Sequence, residues 1–146
     1  MKHILFFAIV ISIMTSCFTN KGNNKNKSTK NSKVKEVIVD KSFSWDNSKL
    51  DYTIESASLT DSILTIQVKT KGSNVEHDFK LYFNGMYAKS LPAKATLYLK
   101  HSTKKEIDDK EIEKILKFDI GKAKYYKGDK TVILINSYSE KFILNH

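Results

Sequence analysis

Apolar and polar residues alternate in short segments along residues 36–146. The alternation is found at 52–56, 64–69, 79–83, 97–99 and 116–120, and two apolar runs follow at 132–135 and 142–144. Alternation over four to eight residues is typical of half-buried β-strands, and a short run that is apolar on both faces is typical of a central strand. The pattern predicts a mainly β domain, an antiparallel β-sandwich that is immunoglobulin-like or related.

Turn-forming residues separate these segments. Asn84-Gly85 follows Phe83 directly and predicts a two-residue type I′ hairpin turn, because both residues tolerate positive φ. Leu91-Pro92 is expected to interrupt the chain, since proline cannot donate a backbone hydrogen bond within a sheet. Asn136-Ser137-Tyr138-Ser139 is expected to turn the last hairpin.

One segment has a helical rather than a β period. Ile112, Ile115 and Leu116 are spaced as on one face of a helix, and Glu113 with Lys117 forms an i,i+4 pair. We therefore predict at most one or two helical turns near residues 108–115, and at most one short helix in the domain; a strand in the segment 105–117 is the alternative.

The net charge of +9 is concentrated in one segment. Residues 18–35 contain six lysines and no acidic residue, whereas residues 36–146 contain 18 lysines and 16 acidic residues. A segment rich in Lys, Asn and Ser cannot bury enough apolar surface to fold, so residues 17–35 are predicted to be a disordered tether, with its lysines either solvated or on anionic headgroups. All 25 basic residues are lysine, which argues against a nucleic-acid partner.

The first residues have the layout of a secretory signal peptide. Lys2 precedes an apolar run at 4–14, and the small residues Thr15 and Ser16 come before Cys17, the single cysteine. The run is too short for a membrane span, which needs about 20 residues. We predict a signal peptide at 1–16; the alternatives are a transmembrane anchor, or a cleaved signal followed by an incidental free cysteine.

The ending Met14-Thr15-Ser16-Cys17 resembles the lipobox of bacterial lipoproteins. The resemblance implies that Cys17 is acylated and becomes the first mature residue, so that several acyl chains anchor the protein stably to its membrane. With Cys17 acylated, no cysteine remains for a disulfide or a thiolate metal site.

A second resemblance covers most of residues 50–135. The segments at 72–81, 90–92, 97–101 and 117–120 look like those of small β-sandwich lipoproteins of Bacteroidota. In that set a cysteine often precedes the histidine of the first segment, where this chain has Asn74, so a thiol-based role is not implied. Acidic residues after the lipidated cysteine resemble a surface-export signal in these bacteria, and residues 18–21 have none. The resemblance therefore implies a position on the periplasmic face of the outer membrane, and it implies no known activity.

Candidate chemistry is limited to a few polar residues. His77 with Asp78 opens one predicted strand and His101 ends another, so all three are candidates for a Zn²⁺ or Cu²⁺ site at one rim of the sandwich. The alternative is that each histidine packs or hydrogen-bonds at a strand end. The acidic run at 108–113 lacks the spacing of a calcium loop, and a solvated charged face is the simpler interpretation. We predict no catalytic residue and no cofactor.

These observations predict a membrane-anchored envelope lipoprotein. Its domain at 36–146 is expected to be a non-catalytic binding or structural module with an envelope protein or polymer as partner, because the sequence contains no nucleophile-elbow or phosphate-loop motif. The alternative is a small hydrolase or metal-handling protein with a loop-borne site near His77 and His101.

Overall fold

The computed structural model describes residues 33–46, 50–104 and 107–146. In these ranges the chain forms nine β-strands and a single turn of 3₁₀ helix, Gly121–Ala123. The strands are β1 Lys35–Glu36, β2 Ile38–Val39, β3 Tyr52–Thr60, β4 Ile63–Lys71, β5 His77–Ala88, β6 Ala93–Thr103, β7 Glu111–Asp119, β8 Lys130–Ile135 and β9 Lys141–Asn145. The prediction of a mainly β domain is confirmed.

The strands form two sheets around one hydrophobic core. One sheet has four strands in the order β1-β7-β4-β3, and the other has five strands in the order β2-β5-β6-β8-β9. Three pairs, β1 with β7, β2 with β5 and β6 with β8, are parallel, so the purely antiparallel sandwich that the sequence predicts is not observed. The β6–β8 pair can be parallel because the chain crosses to the other sheet as β7 before it returns.

Alternating burial along the strands produces the core. Leu64, Ile66 and Val68 of β4 are all fully buried, and the residues between them are partly exposed. The same period of two places Leu97 and Leu99 of β6 inside. Every second residue of the alternating segments therefore faces inward and contributes to the core, as the hydrophobic pattern predicts.

The first residues of the sandwich join both sheets along one edge. β1 pairs with β7 in one sheet, β2 pairs with β5 in the other, and Val37 between them is 2 % exposed. The Val37 amide donates to Asp119 O at 2.9 Å, and the Asp40 amide donates to Phe83 O at 2.9 Å. Residues 35–40 thus close the open side between the two sheets.

The helix predicted near residues 108–115 is wrong. Glu111–Asp119 is strand β7, and it pairs antiparallel with β4 over nine residues, from Lys71↔Glu111 to Ile63↔Asp119. The helical spacing of Ile112, Ile115 and Leu116 is a local signal. A full ladder of hydrogen bonds to a neighbouring strand outweighs it, since propensity is easily overridden by tertiary pairing.

The hairpin turn predicted at Asn84-Gly85 is also wrong. β5 continues through these residues to Ala88, and its pairing with β6 jumps from Phe83↔Leu97 to Tyr87↔Ala95. Gly85 has φ 75°, so the positive φ expected there is present, but it forms a β-bulge instead of a turn. The chain reverses at Leu91-Pro92, as predicted, and Ser137 with φ 66° turns the last hairpin.

Candidate functional site

The sandwich has two ends, to which we give names. The histidine end contains the start of β5, the end of β6 and the loop at 72–76. The lysine end contains the loop at 89–92 between β5 and β6 and the segment 121–130 before β8. The direction of β5 places these two sets of residues at opposite ends of the domain.

His77 and His101 contact each other at the histidine end. His77 opens β5 opposite Thr103, and His101 of β6 lies opposite Phe79, so the two histidines are diagonal neighbours on the inner face. His77 Nδ1 lies 2.9 Å from His101 Nε2, and the two rings are nearly parallel at 12°. The structure therefore brings together the two histidines that the sequence placed at one rim.

The histidine pair is the centre of a chain of hydrogen-bonded groups. At one end, His77 Nε2 lies 2.6 Å from the carbonyl oxygen of Gly72. At the other end, His101 Nδ1 lies 2.8 Å from Oδ1 of Asp51. The His101 side chain is 1 % exposed and that of Asp51 is 52 % exposed, so this series of hydrogen-bonded groups leads from solvent at Asp51 to the buried carbonyl of Gly72. We call these four groups the histidine chain.

Each hydrogen bond of the histidine chain needs one proton, and the partners decide which atom donates it. The Gly72 carbonyl can only accept, so His77 Nε2 donates to it, and a neutral His77 must then accept from His101 Nε2. Three hydrogen bonds need three protons, and two neutral imidazoles bring two. The Asp51 carboxylate accepts, so His101 Nδ1 donates the third hydrogen bond. All four ring nitrogens therefore take part in hydrogen bonds.

Aromatic side chains hold the histidine chain in place. The Phe79 ring stacks on His101 with centroids 4.3 Å apart, and the Tyr52 ring meets Phe79 edge-on at 5.7 Å. The Tyr52 hydroxyl donates to the carbonyl oxygen of Leu99. Burial raises the pKa of the Tyr52 phenol, with a smaller contribution from the charge of Asp51, so Tyr52 stays a neutral donor.

Gly72 is required at its position for two reasons. Its φ of +107° is unfavourable for residues with a side chain. A Cβ there would also lie 3.0 Å from the side chain of Ile107 and 3.2 Å from the His77 ring. The close approach of His77 to the Gly72 carbonyl depends on this missing side chain.

A cleft of about 240 Å³ opens beside the histidine chain. Its lining combines aromatic and charged groups: Phe43, Trp45, Asp51, Tyr52, Lys100 and His101. The segment with Phe43 and Trp45 lies on the outer face of the five-stranded sheet, where Phe43 stacks on Tyr82 at 4.5 Å and Trp45 stacks on Tyr98 at 5.5 Å. Because Tyr82 and Tyr98 are directly paired across β5 and β6, the sheet supplies a rigid base for this wall of the cleft.

The other candidate residues lie apart from the histidine chain. Asp78 forms ion pairs with Lys35 at 3.2 Å and Lys80 at 3.4 Å, and the hydrogen bond from Lys35 is the main cause that lowers the pKa of Asp78. His146 contacts Thr131 Oγ1 at 3.0 Å. Cys17, like the whole segment 1–32, lies outside the described residues.

The acidic residues from 108 to 113 lie in the loop before β7 and along β7, and they do not converge. Asp108 accepts from the Ser73 amide at 2.7 Å and from the Ser73 hydroxyl at 2.8 Å, and the hydroxyl contact is the main cause that lowers the pKa of Asp108. Asp109 pairs with Lys71, and Glu111 pairs with Lys69. In residues 33–46, 50–104 and 107–146, no three His, Cys, Asp or Glu side chains are grouped so that they could hold a metal ion.

Sequence reasoning missed two members of the histidine chain. Asp51 is 50 residues before His101, in a segment where no local pattern marks it. Gly72 carried a recognisable signal, since it follows an alternating strand directly and predicts a turn with positive φ. Nothing local indicated that its carbonyl would meet a histidine.

Comparison with known proteins gives one similarity of fold. No protein-family model and no curated protein matches the chain. A crystal structure of a protein from Parabacteroides distasonis, whose name describes it as toxin related, aligns with a TM-score of 0.50 and 15 % identity. The alignment covers 77 % of this chain and 60 % of that protein. The similarity concerns the fold alone, and its source, a member of Bacteroidota, is consistent with the resemblance found in the sequence.

Within residues 33–46, 50–104 and 107–146, no helix has the length and apolar character needed to cross a bilayer.

Proposed function

We propose that the chain is an envelope lipoprotein, anchored by lipid on Cys17 to the periplasmic face of the outer membrane. Its sandwich, immunoglobulin-like or related, is a non-catalytic binding or structural module. The observation that carries the proposal is the sequence at 1–17, where a signal-peptide pattern ends in Met14-Thr15-Ser16-Cys17. The fold similarity to a protein from Bacteroidota supports it, because the second sequence resemblance is to lipoproteins of the same phylum.

A binding role is favoured by the state of the polar groups at the cleft. The His101 ring that lines the cleft uses both nitrogens in hydrogen bonds, to His77 and to Asp51, so it is not placed as a free general base. Aromatic rings, the two carboxylates of Asp46 and Asp51, and Lys100 line the same opening. Such a surface suits an envelope protein or polymer that offers apolar faces together with polar groups.

Acylation of Cys17 can be tested directly in cells. Wild-type protein is expected to incorporate radiolabelled palmitate, and Cys17→Ser is expected to lose the label and to accumulate as precursor. Ser16→Ala serves as the control, because a small residue before the cysteine is retained. Equal labelling of wild type and Cys17→Ser, or no labelling of wild type, would reject the lipoprotein proposal.

A metal-handling role is the second candidate, and one distance favours it. The facing nitrogens of His77 and His101 are only 2.9 Å apart, so a small shift of the rings could direct both at one Zn²⁺ or Cu²⁺ ion. The ion would compete with the protons of the histidine chain, and binding should therefore weaken at low pH.

Thermal shift measurements distinguish this role from adventitious binding. If the site exists, Zn²⁺ or Cu²⁺ raises the melting temperature more at pH 7.5 than at pH 5.5, since ligand binding to the native state stabilises it. The shift should be lost in His77→Ala/His101→Ala and kept in His146→Ala. A shift retained in the double variant, or no shift in wild type, argues against a metal site at the histidine pair.

A further inference from the structure

The three most exposed large apolar residues of the described segments lie at the lysine end or, in the case of Met86, on β5 just before it. Leu91 is 101 % exposed, Tyr126 is 81 % exposed and Met86 is 68 % exposed, whereas the other exposed large apolar residues do not exceed 50 %. A single exposed apolar side chain is common, but three at one end of a small domain indicate a surface that contacts something apolar. The histidine chain and its cleft are at the opposite end.

Packing connects the loops that carry these residues. The Tyr87 hydroxyl of β5 donates to Lys124 O at 3.0 Å, and the Tyr87 and Tyr125 rings lie 4.9 Å apart. Ala93, just after Leu91-Pro92, pairs with Thr131 in the parallel β6–β8 ladder. A shallow cleft of about 200 Å³ is lined by both loops. The two loops therefore form one surface.

The positive charge of the domain is concentrated on the same surface. Residues 86–94 and 121–130 together contain six lysines and one acidic residue, a net charge of +5. The rest of residues 36–146 contains 12 lysines and 15 acidic residues, a net charge of −3. One of the six lysines, Lys122, is paired with Glu36 at 2.6 Å. Asp61, in the turn between β3 and β4, lines a neighbouring cleft with Lys124. The exposed apolar residues are thus surrounded by positive charge, with Asp61, Asp129 and Glu36 at its margin.

We propose that the lysine end is a docking surface for an anionic lipid bilayer. Leu91 and Met86 would enter the boundary between headgroups and acyl chains, and Tyr126 would lie at the headgroup level, where tyrosine is favoured. The lysines would contact anionic headgroups. Lys127 already lies over the Tyr126 ring at 5.3 Å, which places an aromatic face and a cation together at the surface.

The shape of the surface favours a bilayer over a protein partner. A fully exposed leucine next to a proline at the tip of a loop protrudes, and a protein partner would need a matching pocket for it. A bilayer accepts a protruding apolar group without a preformed pocket. The docking proposed here is independent of acylation at Cys17.

A local fluorescent probe tests the proposal in the full chain. Cys17→Ser removes the single cysteine, and Ala88→Cys then gives a unique labelling site three residues before Leu91. An environment-sensitive dye at this site reports on the lysine end alone. The same dye on Glu76→Cys, an exposed position at the histidine end, is the matched control, since it reports any binding caused by the apolar leader.

The probe should respond to vesicles in a specific way. With vesicles of phosphatidylcholine and phosphatidylglycerol we expect a blue shift of the dye at position 88 and none at position 76. Lys127→Glu/Lys130→Glu, Leu91→Asp or 0.5 M NaCl should each weaken the response to vesicles at least about tenfold. Phosphatidylcholine vesicles should give little response. An unchanged spectrum at position 88, an equal shift at position 76, or a response indifferent to salt and to the lysine substitutions would overturn the proposal.

Discussion

Replacing Val37 by aspartate is expected to lower the free energy of unfolding by about 4 kcal/mol, because an unpaired charge would enter the core. Val37 is 2 % exposed and is the single residue between β1 and β2, which belong to different sheets. For water to reach the new carboxylate, residues 35–40 must detach from the edges of both sheets. The loss should then include the backbone hydrogen bonds of residues 37 and 40, in addition to the apolar contact of the valine side chain.

The neighbouring residue supplies a matched control. Ile38→Asp makes the same chemical change at a side chain that is 38 % exposed, so its cost should stay near or below 1 kcal/mol. Urea denaturation of both variants, followed by tyrosine and tryptophan fluorescence, measures the difference. Comparable losses for the two substitutions would show that residues 35–40 do not hold the two sheets together.

Replacing His77 by alanine is expected to cost about 3 kcal/mol. The substitution removes the donor to the Gly72 carbonyl and the partner of His101 Nε2, and each buried polar group left without a partner costs about 1–3 kcal/mol. It also leaves a void beside the Phe79 ring, which lies 6.5 Å from the His77 ring centre. The melting temperature should fall by roughly 10 °C for a domain of this size.

Two further variants separate this effect from a general sensitivity to loss of histidine. His146→Ala removes a side chain that hydrogen-bonds to Thr131 and leaves the backbone bond of residue 146 to Asp129 in place, so it should cost less than about 1 kcal/mol. Asp51→Asn should also cost little, because the amide nitrogen of asparagine can donate to His101 Nδ1. All three hydrogen bonds of the histidine chain can then form with two neutral imidazoles. Nitrogen-15 spectra should show His101 Nδ1 protonated in wild type and unprotonated in Asp51→Asn. Unchanged stability of His77→Ala would show that the histidine chain is not structural.

The charge of the lysine end illustrates the limit of sequence averages. Over residues 36–146 the lysines and acids nearly balance, which directs attention to the basic segment at 18–35. The parallel pairing of β6 with β8 brings the loop at 89–92 next to the segment at 121–130. Two modestly basic segments, about 30 residues apart in sequence, thereby become one surface. Only the strand order reveals the concentration of charge.

At the histidine end, too, the local sequence predicts the strand positions of the residues, whereas tertiary packing decides which residues contact each other. Alternation placed His77 at the start of one strand and His101 at the end of another, and β5–β6 pairing then made them neighbours. Asp51 could not be assigned, since its partner is set by the packing of β3 against the other sheet. Asp78, adjacent to His77 in sequence, lies on the other face of β5 because successive residues of a strand point in opposite directions.

The sequence by itself determined which segments alternate, and with them most strands, the inward-facing residues of those strands and two of the turns, because these depend on neighbours in the chain. Tertiary structure decided whether 111–119 would be helix or strand, since β4 offered it a complete hydrogen-bonding partner. It also decided that Asn84-Gly85 would bulge within a long strand, and that three strand pairs would be parallel. Each of these outcomes depends on hydrogen bonds between residues far apart in the chain, for which the local pattern of side chains carries no signal.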